Sequence, residues 1–145
     1  MNTSFLRRSI TLGLIVLALV SGINACTVIT TDSQNAAITR SGGWVFDSFS
    51  AGTPNATQKT LYTGMTAVFT ASGSVTFTPT AAGAAVLGSK TSYSGTWSLS
   101  SLEVITLNVQ DLGFSGTYAI GELTATAFRF NTGTSGGLEW KWTAK

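Results

Sequence analysis

From residue 43 onward the apolar positions of this chain recur at every second residue. Trp44 and Phe46 alternate with Val45 and Asp47 in Gly43–Ser50. Val75 and Phe77 share one side of Ser74–Pro79, and Tyr93, Gly95, Trp97 and Leu99 share one side of Lys90–Ser100. The same period groups Ile105, Leu107 and Val109 in Val104–Val109, then Phe114, Gly116, Tyr118 and Ile120 in Gly113–Gly121. Phe128 and Phe130 stand opposite Arg129 in Thr126–Asn131, and Leu138, Trp140 and Trp142 stand opposite Glu139 and Lys141 in Gly137–Thr143. A further run, Lys59–Thr70, is broken by Gly64, which suggests a bulge or bend. Period two is that of a pleated strand with one buried face, and Gly, Ser, Asn, Asp or Pro bounds each run. The pattern predicts eight strands and no helical stripe.

Eight one-faced strands have two common solutions, a closed antiparallel up-and-down barrel or a two-sheet β-sandwich. The connections Ala71–Gly73, Ser100–Glu103 and Leu123–Ala125 are short, whereas Ala51–Gln58, Thr80–Ser89 and Thr132–Gly136 are longer. Alternate connections of an up-and-down barrel lie at the same end. The lengths therefore predict one end closed by tight turns and one mouth ringed by long loops. The expected fold is all-β, an eight-stranded up-and-down barrel over residues 42–145, with the sandwich as the alternative. Gly95-Thr96-Trp97-Ser98-Leu99 and Gly116-Thr117-Tyr118-Ala119-Ile120 repeat one pattern, as a meander does.

Alternation predicts an inward set of Trp44, Phe46, Phe69, Val75, Phe77, Trp97, Leu99, Ile105, Leu107, Phe114, Tyr118, Ile120, Phe128, Phe130, Trp140 and Trp142. A barrel of this strand number is just wide enough to be filled by side chains or to hold one small ligand. The many rings favour filling. Gly95 and Gly116 remove volume on the inner face and leave room for a cavity. If one exists, Trp97, Tyr118 and Trp140 are its candidate walls, and Tyr118 can offer a hydroxyl to a ligand's polar end. Thr80–Ser89 is small and apolar, a slack surface loop or a flap.

Ahead of the barrel, Arg7 and Arg8 precede an apolar run of 11 residues from Ile10 to Val20, followed by Ser21 and Gly22. That is the anatomy of a secretory signal peptide over 1–25, and the run is short of the ~20 residues a membrane-spanning helix needs. Residues 26–41 carry few large side chains and no sustained period, as expected of a flexible tether.

Composition narrows the chemistry. The chain has no His and a single Cys, Cys26, which excludes Ser-His-Asp and Cys-His catalysis, His-ligated metals and internal disulfides. Beyond Cys26 the cations Arg40, Lys59, Lys90, Arg129, Lys141 and Lys145 balance Asp32, Asp47, Glu103, Asp111, Glu122 and Glu139, six against six. With no basic patch, nucleic-acid binding loses its electrostatic footprint. Asp47 and Glu139 lie on strands that closure would make neighbours, but both alternate outward, where solvated carboxylates do little chemistry. No enzyme, cofactor or metal is expected.

Ile23-Asn24-Ala25-Cys26 resembles a bacterial lipobox, with Asn24 a departure from the small or aliphatic residue usual there. The resemblance implies lipidation of Cys26 and anchoring to a membrane. A lone thiol in an oxidising compartment is otherwise a liability, and two or three acyl chains anchor durably where one does not. The alternative is ordinary cleavage after Ala25 and secretion. Thr27 and Val28 are not the acidic residues associated with inner-membrane retention, which points to the bacterial envelope's outer membrane, facing the periplasm.

Gly42-Gly43-Trp44 matches the G-x-W of lipocalins, whose Trp closes one barrel end. Phe69-to-Pro79, Tyr93-to-Ser101, Val104-to-Val109 and Gly116-to-Phe130 resemble bacterial lipocalin-like lipoproteins over about Gly42–Trp142. The T-D-Y motif is missing, and the family's late Arg corresponds to Arg129, which alternation turns away from Trp44. The resemblance implies a small antiparallel barrel and, by analogy alone, binding of a small hydrophobic molecule. The alternative function is a structural module with a filled core that holds a protein or glycan.

Overall fold

A computed structural model describes residues 30–145. The leader over 1–25 and Cys26 lie outside the described residues. Eight strands form: β1 (Trp44–Ala51), β2 (Thr66–Phe69), β3 (Ser74–Thr78), β4 (Tyr93–Ser101), β5 (Val104–Val109), β6 (Phe114–Leu123), β7 (Ala127–Asn131) and β8 (Glu139–Ala144). Each pairs antiparallel with the next, and β8 returns to β1, so the sheet is a closed up-and-down barrel rather than a sandwich. Closure removes both sheet edges, which would otherwise stand as unpaired backbone.

The inner face is the alternating set read above. Every member of it is buried except Leu99 and Ile120, which are partly buried against the same core. Two irregularities in the β1–β8 register, at Asp47 and Ser50, adjust that alternation. The first carries Phe49 to the inner side, 4.9 Å from the Phe46 ring, where strict alternation would leave it outside.

The rings meet across the axis. Phe69 of β2 lies 6.0 Å from Phe128 of β7. Phe77 of β3 lies 5.4 Å from Phe114 of β6 and 5.7 Å from Trp142 of β8. None of these strands are neighbours. Side chains from opposite walls touch, so the lumen is filled through its middle.

Three short helices correct the sequence reading. The first half of the predicted strand Lys59–Thr70 is helical: α2 spans Ala56–Tyr62. Its start is set by a capping box, in which the Asn55 side chain accepts from the Gln58 N–H at 2.8 Å and Gln58 returns a bond to the Asn55 N–H at 2.9 Å. Gly64, with φ +71°, turns the chain from helix into β2. The predicted slack loop Thr80–Ser89 holds α3 (Ala81–Val86), capped by Thr80. Gly83 lets α3 lie against α2, since a Cβ there would come 2.7 Å from the Leu61 carbonyl oxygen.

The second half of the expected tether 26–41 is not slack either. It forms α1 (Thr31–Ile38), capped reciprocally by Thr30 and Ser33. Ile38 is wholly buried. Gln34 donates to the Leu102 carbonyl at 2.7 Å and the Arg40 guanidinium donates to the Ala125 carbonyl. These acceptors sit in the β4–β5 and β6–β7 turns, so α1 plugs the tight-turn end.

At that end Trp44 donates its indole N–H to the Ile38 carbonyl at 2.9 Å and packs 5.5 Å from Phe128. The cation over its ring is Arg40, 5.4 Å from the centroid. Arg129 instead points outward, 3.3 Å from Glu139 and 3.8 Å from Glu122. An arginine from before the barrel takes the place that the resemblance implied for one near its end.

Candidate functional site

The other end is covered by α2. Leu61 and Tyr62 turn inward there, and Tyr62 packs against Phe46 at 5.5 Å, Phe49 at 5.6 Å, Phe114 at 6.0 Å and Trp140 at 6.2 Å. The helix does not seal the mouth completely. Between it, the start of β6 and the approach to β8 remains a cleft of about 250 Å³. Gln58 and Tyr62 form its helical side, Phe114, Tyr118 and Trp140 its floor, and Leu138 its outer lip. No charged side chain lines it.

Sequence-derived candidates Tyr118 and Trp140 meet in this cleft, with ring centroids 6.0 Å apart and planes at 85°. Trp97 is elsewhere. It faces the plugged end, edge-on to Phe69 at 5.5 Å, and its N–H donates to the Thr70 carbonyl at 3.0 Å. A shallow hollow of about 410 Å³ lies beside it, lined by Asn35, Thr39 and the β2–β3 turn. That hollow is larger, but its one indole donor is already engaged. Tyr62 and Gln58 were missed by alternation because they belong to a helix; the Asn55-x-x-Gln58 capping box was the available signal.

Burial pushes the Tyr62 phenol well above its ordinary range, with the adjacent Trp140 indole opposing the shift. Burial likewise raises Tyr118, opposed by a backbone hydrogen bond at Ser115. Both phenols are therefore neutral at physiological pH. The Trp140 indole nitrogen, on a side chain only 6% exposed, is itself closed to solvent and faces the Tyr62 hydroxyl without a well-aligned hydrogen bond, whereas the deeper Trp142 N–H and Tyr93 hydroxyl have no hydrogen-bond partner among the described residues. An indole nitrogen is a donor only.

The carboxylates lie apart from the cleft. Asp47 pairs with Lys141 at 3.1 Å. Glu139 accepts from Ser50, Asn131 and Arg129, which together hold its carboxyl below the usual range, Ser50 contributing most. Among the described residues no three acidic or cysteine side chains converge as a metal site would require. Comparison with family models, curated proteins and solved structures found no match.

Proposed function

We propose that this chain is a bacterial envelope lipoprotein whose lipocalin-like barrel binds one small hydrophobic or amphipathic molecule at its mouth. In this reading 1–25 directs export, Cys26 carries the lipid, and the barrel stands at the outer membrane facing the periplasm. The ligand site is the cleft beside α2, because the rings that meet across the axis leave no room deeper in. The observation that carries the reading is an uncharged aromatic cleft at the mouth, with Tyr118 and Trp140 meeting on its floor. A pocket of mostly apolar walls with few placed polar groups is the usual form of a small-molecule site. Neither catalysis, a cofactor nor nucleic acid enters this function.

Mass spectrometry of the protein isolated from membranes tests both halves at once. The expected result is an acylated Cys26 and a retained small molecule. Cys26→Ala is expected to move the protein to the soluble fraction. An unmodified Cys26 would support the secreted alternative.

A second reading has its own support. The ring contacts across the lumen also suit a filled structural module that holds a protein or glycan. A fluorescent lipophilic probe separates the two. Saturable binding that is lost in Leu138→Phe favours the cleft, and its absence favours the module.

A further inference from the structure

We infer that Tyr62 is a built-in stopper on a lid made of α2 and α3, and that the guest of this barrel is a small neutral phenol-like molecule whose ring takes the socket that Tyr62 fills. This rests on the binding reading above and adds the guest's class and the gate it passes. The socket belongs to the barrel, but its occupant does not. Phe46 and Phe49 of β1, Phe114 of β6 and Trp140 of β8 surround the Tyr62 ring at 5.5, 5.6, 6.0 and 6.2 Å. The Tyr62 hydroxyl faces the Trp140 indole. A free phenol presents the same ring and the same hydroxyl to those surfaces. The adjoining cleft has no charged lining, so an ionised guest would lose its hydration without gaining a partner.

The stopper is held only lightly to the wall. β1 pairs with β2 at Trp44 and Val45, whereas β8 follows β1 as far as Ala51. Nearer the mouth, Tyr62 packs on Phe46 and Phe49 where a longer β2 would have run. Among the described residues, no hydrogen bond joins Thr53–Gly64 or Thr80–Ser89 to a strand. The two helices are instead tied to each other. The Thr80 hydroxyl donates to the Thr63 carbonyl at 3.5 Å, and Gly83 of α3 lies against the Leu61 carbonyl of α2. Each carries its own N-cap, on Asn55 and on Thr80. Gly52 and Gly64, at φ +80° and +71°, bracket α2. The pair can therefore swing away together without breaking a ladder bond; the buried Leu61 and Tyr62 are what hold it shut.

A guest that binds only the open form has its affinity lowered by the fraction of molecules that are open. Anything that removes the stopper or loosens the lid then tightens binding.

The test uses p-cresol, which is the tyrosine side chain freed from its backbone, on the unaltered protein, Tyr62→Ala and Gly83→Ala. Affinity is read by titration and lid motion by amide hydrogen exchange. The unaltered protein is expected to bind weakly, with exchange in α2 and α3 rising on binding while β5 and β6 stay protected. Tyr62→Ala should bind at least about tenfold tighter, since nothing has to be displaced. Gly83→Ala should bind severalfold tighter although it alters no atom of the socket or the cleft, because its Cβ would come 2.7 Å from the Leu61 carbonyl oxygen and wedge the helices apart. The anionic p-hydroxybenzoate should bind none of the three. The two substitutions act at different places, so the test survives if one variant does not fold.

Equal affinity of the unaltered protein and Tyr62→Ala for p-cresol, with exchange in α2 slowed, would place the guest in the cleft beside a shut lid; it would overturn the stopper and leave cleft binding standing. Binding by Tyr62→Ala alone would show that the stopper never leaves, and would overturn the gate. Faster exchange in Gly83→Ala without tighter binding would do the same. Equal binding of p-hydroxybenzoate would overturn the neutral class. Failure of both p-cresol and the lipophilic probe to bind any of the three proteins would overturn the binding reading itself.

Discussion

Trp44 shows how much one side chain holds. Its ring is wholly buried, its N–H is bonded to the Ile38 carbonyl, and Arg40 lies over its face. Trp44→Phe keeps an aromatic ring but orphans the carbonyl and weakens the cation–π contact. The expected cost is about 1–3 kcal/mol, read as a lower urea midpoint with unchanged slope. Tyr62 and Glu139 set the two limbs of the pH dependence. The folded state raises the Tyr62 phenol above its ordinary 10.0, so the unfolded chain ionises first. Stability is full below that pH and falls as pH rises through the folded value. Tyr118 acts with the same sign. Tyr62→Phe should flatten the alkaline limb of a denaturation series. Glu139 is held below its ordinary 4.5. Its contribution is present above that pH and lost as pH falls through the folded value. Glu139→Gln should flatten the acid limb and leave the alkaline one alone.

Among the elements, α1 matters most for what the barrel lacks at its tight-turn end. A barrel closes its edges but not its ends, and Trp44 would otherwise lie under water. Ile38 is the residue by which the helix is seated. Ile38→Ala is expected to cost about 2–4 kcal/mol, measured by denaturant unfolding; a cost under half a unit would mean that α1 is only loosely docked. In the sheet, Gly95 lets β4 cross β5 closely, because a Cβ there would overlap the Asn108 carbonyl oxygen. Gly95→Ala is expected to destabilise by about 1–3 kcal/mol and to lower hydrogen-exchange protection first in β4 and β5. Both strands were legible by alternation, yet the reason for this glycine was not, since the atom it avoids is on another strand. The helices were legible only in their caps. Thr30 with Ser33 and Asn55 with Gln58 are capping pairs, but each helix is too short to display a period of its own.

For the molecule as a whole, the proposed attachment and the proposed recognition fall at opposite ends of the barrel axis. The plug, and with it the chain leading back to residue 30, sits at one end, and the uncharged cleft opens at the other. The charges beyond Cys26 cancel, so the barrel brings no net charge that would draw it to an anionic membrane. The acyl-free domain is therefore expected not to sediment with anionic vesicles at low salt, while the acylated protein sediments at every salt concentration. Salt-sensitive sedimentation of the acyl-free form would reveal an electrostatic contribution that the charge balance does not provide.

The alternation of Trp44, Phe46, Phe77, Tyr118, Phe128, Trp140 and Trp142 sufficed to place those strands and their inner face, because a side chain's face depends only on its own strand's pleat, but it left barrel and sandwich both open until the β1–β8 pairing closed the sheet. Which rings meet is a different matter. Phe77 reaching Trp142, Arg40 rather than Arg129 covering Trp44, and Tyr62 arriving over Trp140 from a helix are relations between segments distant in the chain. Packing across the axis decided them, and with them it decided that the lumen is full, that the open space lies under α2, and that Trp97 faces the opposite end from Tyr118 and Trp140.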